Sequence, residues 1–125
     1  MRASGKSNRK ATGREAELLA QSYLRELGMR IVSLNWRCRS GEIDIVAEQD
    51  GILRFVEVRS RSTEGRYGTA VQSVDARKQR QVRETAQVYL YQTKQFERKV
   101  QFDVIAIRLD CEGKLLELQH IEHAF

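Results

Sequence analysis

Two acidic residues stand inside apolar, strand-like runs on either side of an Asp-Gly step. No other part of the chain constrains its fold as much. Ile43-Asp44-Ile45-Val46-Ala47 leads into Glu48-Gln49-Asp50-Gly51, and Ile52-Leu53-Arg54-Phe55-Val56-Glu57-Val58-Arg59 leads out. Asp-Gly between β-branched runs predicts a two-residue hairpin loop, because both loop residues of that turn take positive φ. Gln49 then faces Ile52, and the same register sets Asp44 directly opposite Glu57. Side chains alternate along a strand, so Glu42, Asp44, Val46, Phe55, Glu57 and Arg59 are expected on one face. Ile43, Ile45, Ala47, Val56 and Val58 are expected on the other. Like charges facing each other at roughly 5 Å destabilise a sheet unless something neutralises them. A divalent cation held by oxygen ligands does so, with Mg²⁺ or Mn²⁺ suited to the donor set. Ion pairing to Arg37, Arg54 or Arg59 on a wet sheet face is the alternative.

The rest of the chain supplies a frame for that hairpin. Apolar positions Ala16, Leu19, Ala20, Tyr23, Leu24 and Leu27 recur at helical spacing, predicting a helix from Arg14 to Leu27 that stops at Gly28. Met29 to Trp36 reads as a strand. Residues 60–72 form a loop with Gly65 and Gly68, long enough to carry function. Ser73 or Asp75 can cap a helix running to about Lys94. Val100 to Leu109 and Lys114 to Ile121 read as two further strands. The order α-β-β-β-α-β-β predicts an α/β domain, a mixed sheet flanked by helices. Residues 1–12 read as a flexible basic tail and 13–125 as a single domain.

Composition narrows the function classes. No apolar run approaches the roughly 20 residues of a membrane span, and the basic N-terminus is not followed by a secretory apolar segment. Cys38 and Cys111 lie in no metal-type spacing, which makes a reducing cytoplasm the expected compartment. The net charge is +5, from 22 Lys and Arg against 17 Asp and Glu. Its distribution says more than its size. Arg2, Lys6, Arg9, Lys10 and Arg14 form one basic run, and Arg77, Lys78, Arg80 and Arg83 form another. Two basic segments flanking a carboxylate cluster point to a polyanion. Arg37 and Arg39 beside Trp36, and Tyr67 between two glycines, are further candidates for contact with nucleic acid. The indole of Trp36 half-buried at a sheet edge is the simpler reading of that residue. A metal ligand could also come from the backbone carbonyl of Val58, next to Glu57. His120 and His123 flank Glu122 in a pattern too short to assign.

Gly41-Glu42-Ile43-Asp44-Ile45-Val46-Ala47 and Phe55-Val56-Glu57-Val58-Arg59-Ser60-Arg61 resemble the signature of the bacterial YraN family of uncharacterised proteins. The resemblance continues in Asn35-Trp36-Arg37-Cys38-Arg39, in Val74-Asp75 with Lys78 and Arg80, and in Phe102-Asp103-Val104-Ile105-Ala106-Ile107. It covers roughly residues 13–109. That family is in turn similar to the restriction-endonuclease-like nucleases and the archaeal Holliday-junction resolvases. The resemblance implies a restriction-endonuclease-like αβββαββ core and metal-dependent cleavage of DNA phosphodiesters, with branched junctions among the substrates. It implies Glu17, Asp44 and Glu57 as metal ligands, and Asp44, Glu57 and Arg59 as catalytic residues. A resolvase-like role also implies a symmetric homodimer.

The family pattern has Lys where this chain has Arg59. Arginine stays protonated in proteins, so it cannot act as the base, although it can stabilise developing phosphate charge. Lys78 is the candidate to replace the missing lysine. A nucleic-acid-binding protein of the same fold that does not cut is the alternative function, and a protein-interaction scaffold is a third.

Overall fold

A computed structural model describes residues 5–61 and 74–125, and side chains for 13–60 and 74–125. Tyr67 therefore lies outside the described residues. Helix α1 spans Gly5–Glu26, followed by strands β1 (Arg30–Cys38), β2 (Gly41–Gln49) and β3 (Ile52–Arg61). Helix α2 (Ala76–Gln92), β4 (Lys99–Leu109) and β5 (Leu115–Ile121) complete the order. The five strands form one sheet in the order β1-β2-β3-β4-β5. Only β3 and β4 are parallel. The crossover between them carries α2, the connection a parallel pair requires. This is the expected α/β architecture, a mixed sheet with helices flanking it, consistent with a restriction-endonuclease-like core.

The Asp50-Gly51 hairpin forms as the sequence predicts. Both residues take positive φ, 55° and 79°, and the pairing runs from Gln49↔Ile52 to Ile45↔Val56. Helix α1 ends at Gly28, whose φ of +93° lets the Met29 N–H reach the Leu24 carbonyl at 3.0 Å. It starts at Gly5 rather than Arg14. The added turns carry no apolar stripe, but extending a packed helix gains one hydrogen bond for each residue fixed.

The helices cover opposite faces of the sheet. Ala16, Ala20 and Leu24 of α1 pack on Ile45, Ala47, Val56, Ile105 and Ile107. Ala86, Tyr89 and Leu90 of α2 pack on Ile43, Val46, Leu53 and Phe55. Ile43 is thus on the α2 side with Val46, not with Ile45 and Ala47 as strict alternation predicts. The cause lies across the strand pair. Ladder partners are Leu34↔Ile45 and Trp36↔Ile43, with Asn35 and Asp44 between them. Asn35 sits in the left-handed region at φ 48°, which turns the strand over within one residue, and β2 turns with it. Trp36 accordingly joins the α2-side cluster, its indole edge-on to Tyr89 at 5.2 Å.

Candidate active site

The turnover at Asn35 and Asp44 is where the hairpin ladder stops. Beyond Ile45↔Val56 the two strands part, and the Asp44 carboxylate accepts the Val58 backbone N–H at 2.8 Å. A side chain thus replaces a ladder carbonyl, and the gap between β2 and β3 becomes a polar cleft. Asp44 and Glu57 are neighbours as predicted, though not as a ladder pair. Val58, whose carbonyl is the predicted backbone ligand, also pairs with Ile105 in the parallel β3–β4 ladder.

Glu57 is the most unusual side chain of the molecule. It is only 2% exposed, and among the described residues its Oε2 has no hydrogen-bond partner. Its Oε1 lies 3.8 Å from the Lys78 ammonium, which reaches down from the first turns of α2. Burial, and then the charge of Asp44, push the Glu57 carboxyl up to about 8, against the pull of Lys78, Arg59 and the Asp44 N–H. Burial likewise pushes Asp44 up to about 6. The Val58 N–H and Lys78 pull it down, while Glu17 and Glu42 push it further up. Both shifts have one leading cause, the burial of two neighbouring carboxyls away from water.

Asp75 caps α2 by accepting the Lys78 N–H at 2.9 Å, which fixes the turn that carries the lysine. Gln81 anchors the same helix to the β1–β2 turn through the Ser40 carbonyl at 3.1 Å. Glu17 of α1 reaches the site from the opposite helix, with Asn35 Nδ2 donating to its carboxylate at 3.3 Å. Asn35 was visible in the sequence only as part of a family motif. A non-glycine residue at positive φ is invisible to propensity, although asparagine is among the few types that tolerate it.

The basic candidates separate into groups. Arg77 and Arg80 are exposed on the first turns of α2, and Lys78 is half-buried against Glu57. Arg39 is exposed in the β1–β2 turn, while Arg37 pairs with Glu42 at 3.3 Å. Arg83 is exposed, with its guanidinium 5.4 and 5.5 Å from the ring centres of Phe102 and Phe125. Arg59 is half-buried and its charge acts on Glu57. Among the described residues, no group of three or more His, Cys, Asp and Glu side chains converges closely enough to hold a metal ion. Asp44 and Glu57 form a pair, and Glu17 is held beside them by Asn35.

A second buried polar cluster lies on the α1 side. Asp103 of β4, fully buried, accepts hydrogen bonds from His120 Nε2 (2.8 Å), Gln101 (3.0 Å), Arg54 (3.2 Å) and the His123 N–H (3.2 Å). The other ring nitrogen of His120 meets the Tyr23 hydroxyl at 2.9 Å. Sequence alone assigns no role to His120 and gives Tyr23 only as an apolar position of α1. The long separations in sequence, 17 residues to His120 and 97 from Tyr23 to His120, gave no local signal.

The fold and the polar cleft define an α/β protein of restriction-endonuclease-like architecture with a buried acidic pair at a sheet opening. The chain belongs to the uncharacterised protein family UPF0102, the YraN family, whose profile matches residues 16–107. A UPF0102 protein of Pelotomaculum thermopropionicum is 43% identical over 117 residues, covering 94% of this chain and 97% of the relative. One from Desulforamulus reducens is 41% identical over 118 residues, covering 93% and 96%. One from Persephonella marina is 42% identical over 113 residues, covering 90% and 91%. No helix among the described residues is long and apolar enough to cross a membrane.

Proposed function

We propose that this chain is a metal-dependent endonuclease-like protein acting on DNA, with Asp44 and Glu57 as the core of its site. The observation that carries the reading is Glu57: a buried carboxyl with one oxygen unpartnered, beside a second carboxylate and a lysine. An unsatisfied buried acceptor costs about 1–3 kcal/mol, so a fold that keeps one has a use for it. The donor set suits a hard divalent cation, since Mg²⁺ takes one or two carboxylates and fills its remaining positions with water and phosphate oxygens. Asp44 and Glu57 would hold it, with Glu17 a third ligand on moving in from its place beside Asn35. A cation there supplies Lewis-acid polarisation of a phosphate and a lowered pKa for water.

The chain's own residues have separate tasks. Asn35 orients Glu17, and the Val58 N–H orients Asp44. Lys78 takes the place of the lysine that Arg59 displaced. It comes from a helix rather than from the neighbouring strand position, yet its ammonium lies by the same carboxylate. Its ammonium can orient an attacking water or hold a phosphate oxygen through hydrogen bonds. Arg59 then serves as a fixed positive charge for the phosphate. Arg77 and Arg80 offer phosphate contacts beside Lys78, and a symmetric dimer on branched DNA extends the same reading.

Cleavage of labelled four-way junction, duplex and single-stranded DNA in Mg²⁺, Mn²⁺ or EDTA tests it. Metal-dependent cutting is expected, lost in Asp44→Ala and Glu57→Ala and reduced on the order of 100-fold in Lys78→Ala. Arg59→Lys is expected to retain or raise the rate. The second reading, a protein of this fold that binds without cutting, is favoured by Arg59 and by the absence of a converged ligand triad among the described residues. Junction binding with no cutting in either metal would establish it.

A further inference from the structure

The last turn of α2 and the loop after it carry the most exposed aromatic pair among the described residues. Tyr91, 70% exposed, and Phe96, 62% exposed, meet edge to face with ring centres 5.7 Å apart. A T-shaped contact leaves at least one face of each ring uncovered by the other. Neither ring joins a core cluster, so packing does not account for the pair.

The loop holds these rings rigidly. Lys94 takes a left-handed conformation, φ 58°. The Lys94 and Gln95 N–H groups close back on the Tyr91 and Leu90 carbonyls at 3.2 and 2.9 Å. This is a helix stop of the kind usually made with glycine. Arg98 then ties the loop to the body of the sheet, donating to Gln95 at 2.7 Å and to Glu48 at 2.6 Å. Aromatic surface held in place before binding saves the ordering cost of association.

The surroundings name the ligand class. Lys94 and Lys99 are exposed beside the rings, with Glu97 the exposed acid between them. Along α2, Arg80, Glu84, Gln87 and Tyr91 are exposed at helical spacing on one stripe, with Arg77 next to it. Cations lie at the end of that stripe near Lys78 and aromatics at the other. The helix separates the two ends by about 20 Å, the length of about six stacked nucleotides. Cations for phosphates at one end of an exposed helix face and an aromatic platform at the other, with Glu84 and Gln87 between, supply the two elements that grip single-stranded nucleic acid, since every base has a face to stack.

We propose that Tyr91 and Phe96 are a stacking platform for unpaired nucleobases, reached by a strand that runs along the Arg77–Arg80 side of α2. The inference rests on the nucleic-acid reading of the Asp44–Glu57 site and adds to it a preference for substrates with a single-stranded segment.

Fluorescence anisotropy with a labelled oligothymidylate and a duplex of equal length, both in EDTA, tests the proposal. Tyr91→Ala/Phe96→Ala is expected to weaken the single strand by about 10-fold or more, and to leave duplex affinity and thermal midpoint near those of the wild type. Tyr91→Trp/Phe96→Trp is expected to retain single-strand affinity. Arg80→Ala is expected to weaken both probes and lower the salt slope by about one. An unchanged single-strand affinity in the double alanine variant would overturn the platform and leave the nucleic-acid reading standing. Failure of the wild type to bind either probe would overturn both. A change in light-scattering mass without loss of single-strand affinity would show instead that the rings join two copies of this chain.

Discussion

Asp103 and Glu57 are both acids buried in the middle of the sheet, one on each face, and their surroundings could hardly differ more. Asp103 faces α1. Burial pushes its carboxyl up, but hydrogen bonds from His120, Gln101 and the His123 N–H outweigh that and hold it below the usual carboxylate range. Arg54 adds a full positive charge at 3.2 Å. Glu57 faces α2 with the Lys78 ammonium at 3.8 Å, the charge of Arg59 nearby, and an oxygen that no donor among the described residues meets. Burial alone therefore marks neither stability nor function. The distinction lies in satisfaction: protein donors meet both oxygens of Asp103, whereas among the described residues none meets Glu57 Oε2.

The largest effect separating the two belongs to Asp103→Asn. An amide cannot balance Arg54 and can accept only part of what the carboxylate accepts, so the buried Arg54–Asp103 pair is broken and Arg54 keeps only Glu122, at 3.0 Å. Removing one member of such a pair costs about 3–5 kcal/mol. Denaturant unfolding should show that loss, and cleavage or binding measured on the folded fraction should change little. A variant as stable as the wild type would mean that the Asp103 cluster is not structural, and the comparison would collapse.

Glu57→Gln should move stability the other way, with a pH signature. The Glu57 carboxyl is raised above its unfolded value, so its contribution is fully present below about pH 4.5 and is lost as pH rises through about 8. Asp44, raised to about 6, has the same sign over a lower window. Wild-type thermal midpoints should therefore fall as pH rises from about 4 to 8. The glutamine variant should lose much of that slope and exceed the wild type well above pH 8, by on the order of 2 kcal/mol. Asp103, with its lowered carboxyl, has the opposite sign and contributes to unfolding only as pH falls below the ordinary carboxylate range. Adding Mg²⁺ or Mn²⁺ should restore the wild-type midpoint more at high pH than at pH 5, because protons compete for the same oxygens. A pH-independent midpoint would remove the physical basis for a cation at this site.

These two acids were not equally legible in the sequence. Asp44 and Glu57 share a hairpin, so a turn signal and strand alternation bring them together with no tertiary information. Alternation also shows where that logic ends. It holds from Gln49 back to Ile45, then fails at Ile43, because Asn35 on the neighbouring strand turns the ladder over. That reset depends on one φ angle, and residue type alone does not fix it. The Asp103 cluster was beyond sequence reasoning for a different reason. Its partners come from α1, β3, β5 and the segment after β5, and only the closed sheet brings them together. Lys78 falls between these cases: its type and its helix were legible, but its reach to Glu57 depends on how α2 docks over Ser40 and Gly41.

The smallest expected effect tests whether Asn35 acts on the site through its backbone or its side chain. Asn35→Gly keeps the left-handed conformation at φ 48° and removes the donor to Glu17. Asn35→Ala removes the donor and adds strain of roughly 1–2 kcal/mol. If Asn35 is a positioning residue, glycine should leave the thermal midpoint within about 0.5 kcal/mol of the wild type. It should still weaken the metal-induced rise in that midpoint, since Glu17 is no longer held toward Asp44. Alanine should lower both. A glycine variant whose metal response matches the wild type would reduce Asn35 to a backbone hinge. The poorly satisfied site would then rest on Asp44, Glu57 and Lys78, in sharper contrast with the Asp103 carboxylate and its four donors.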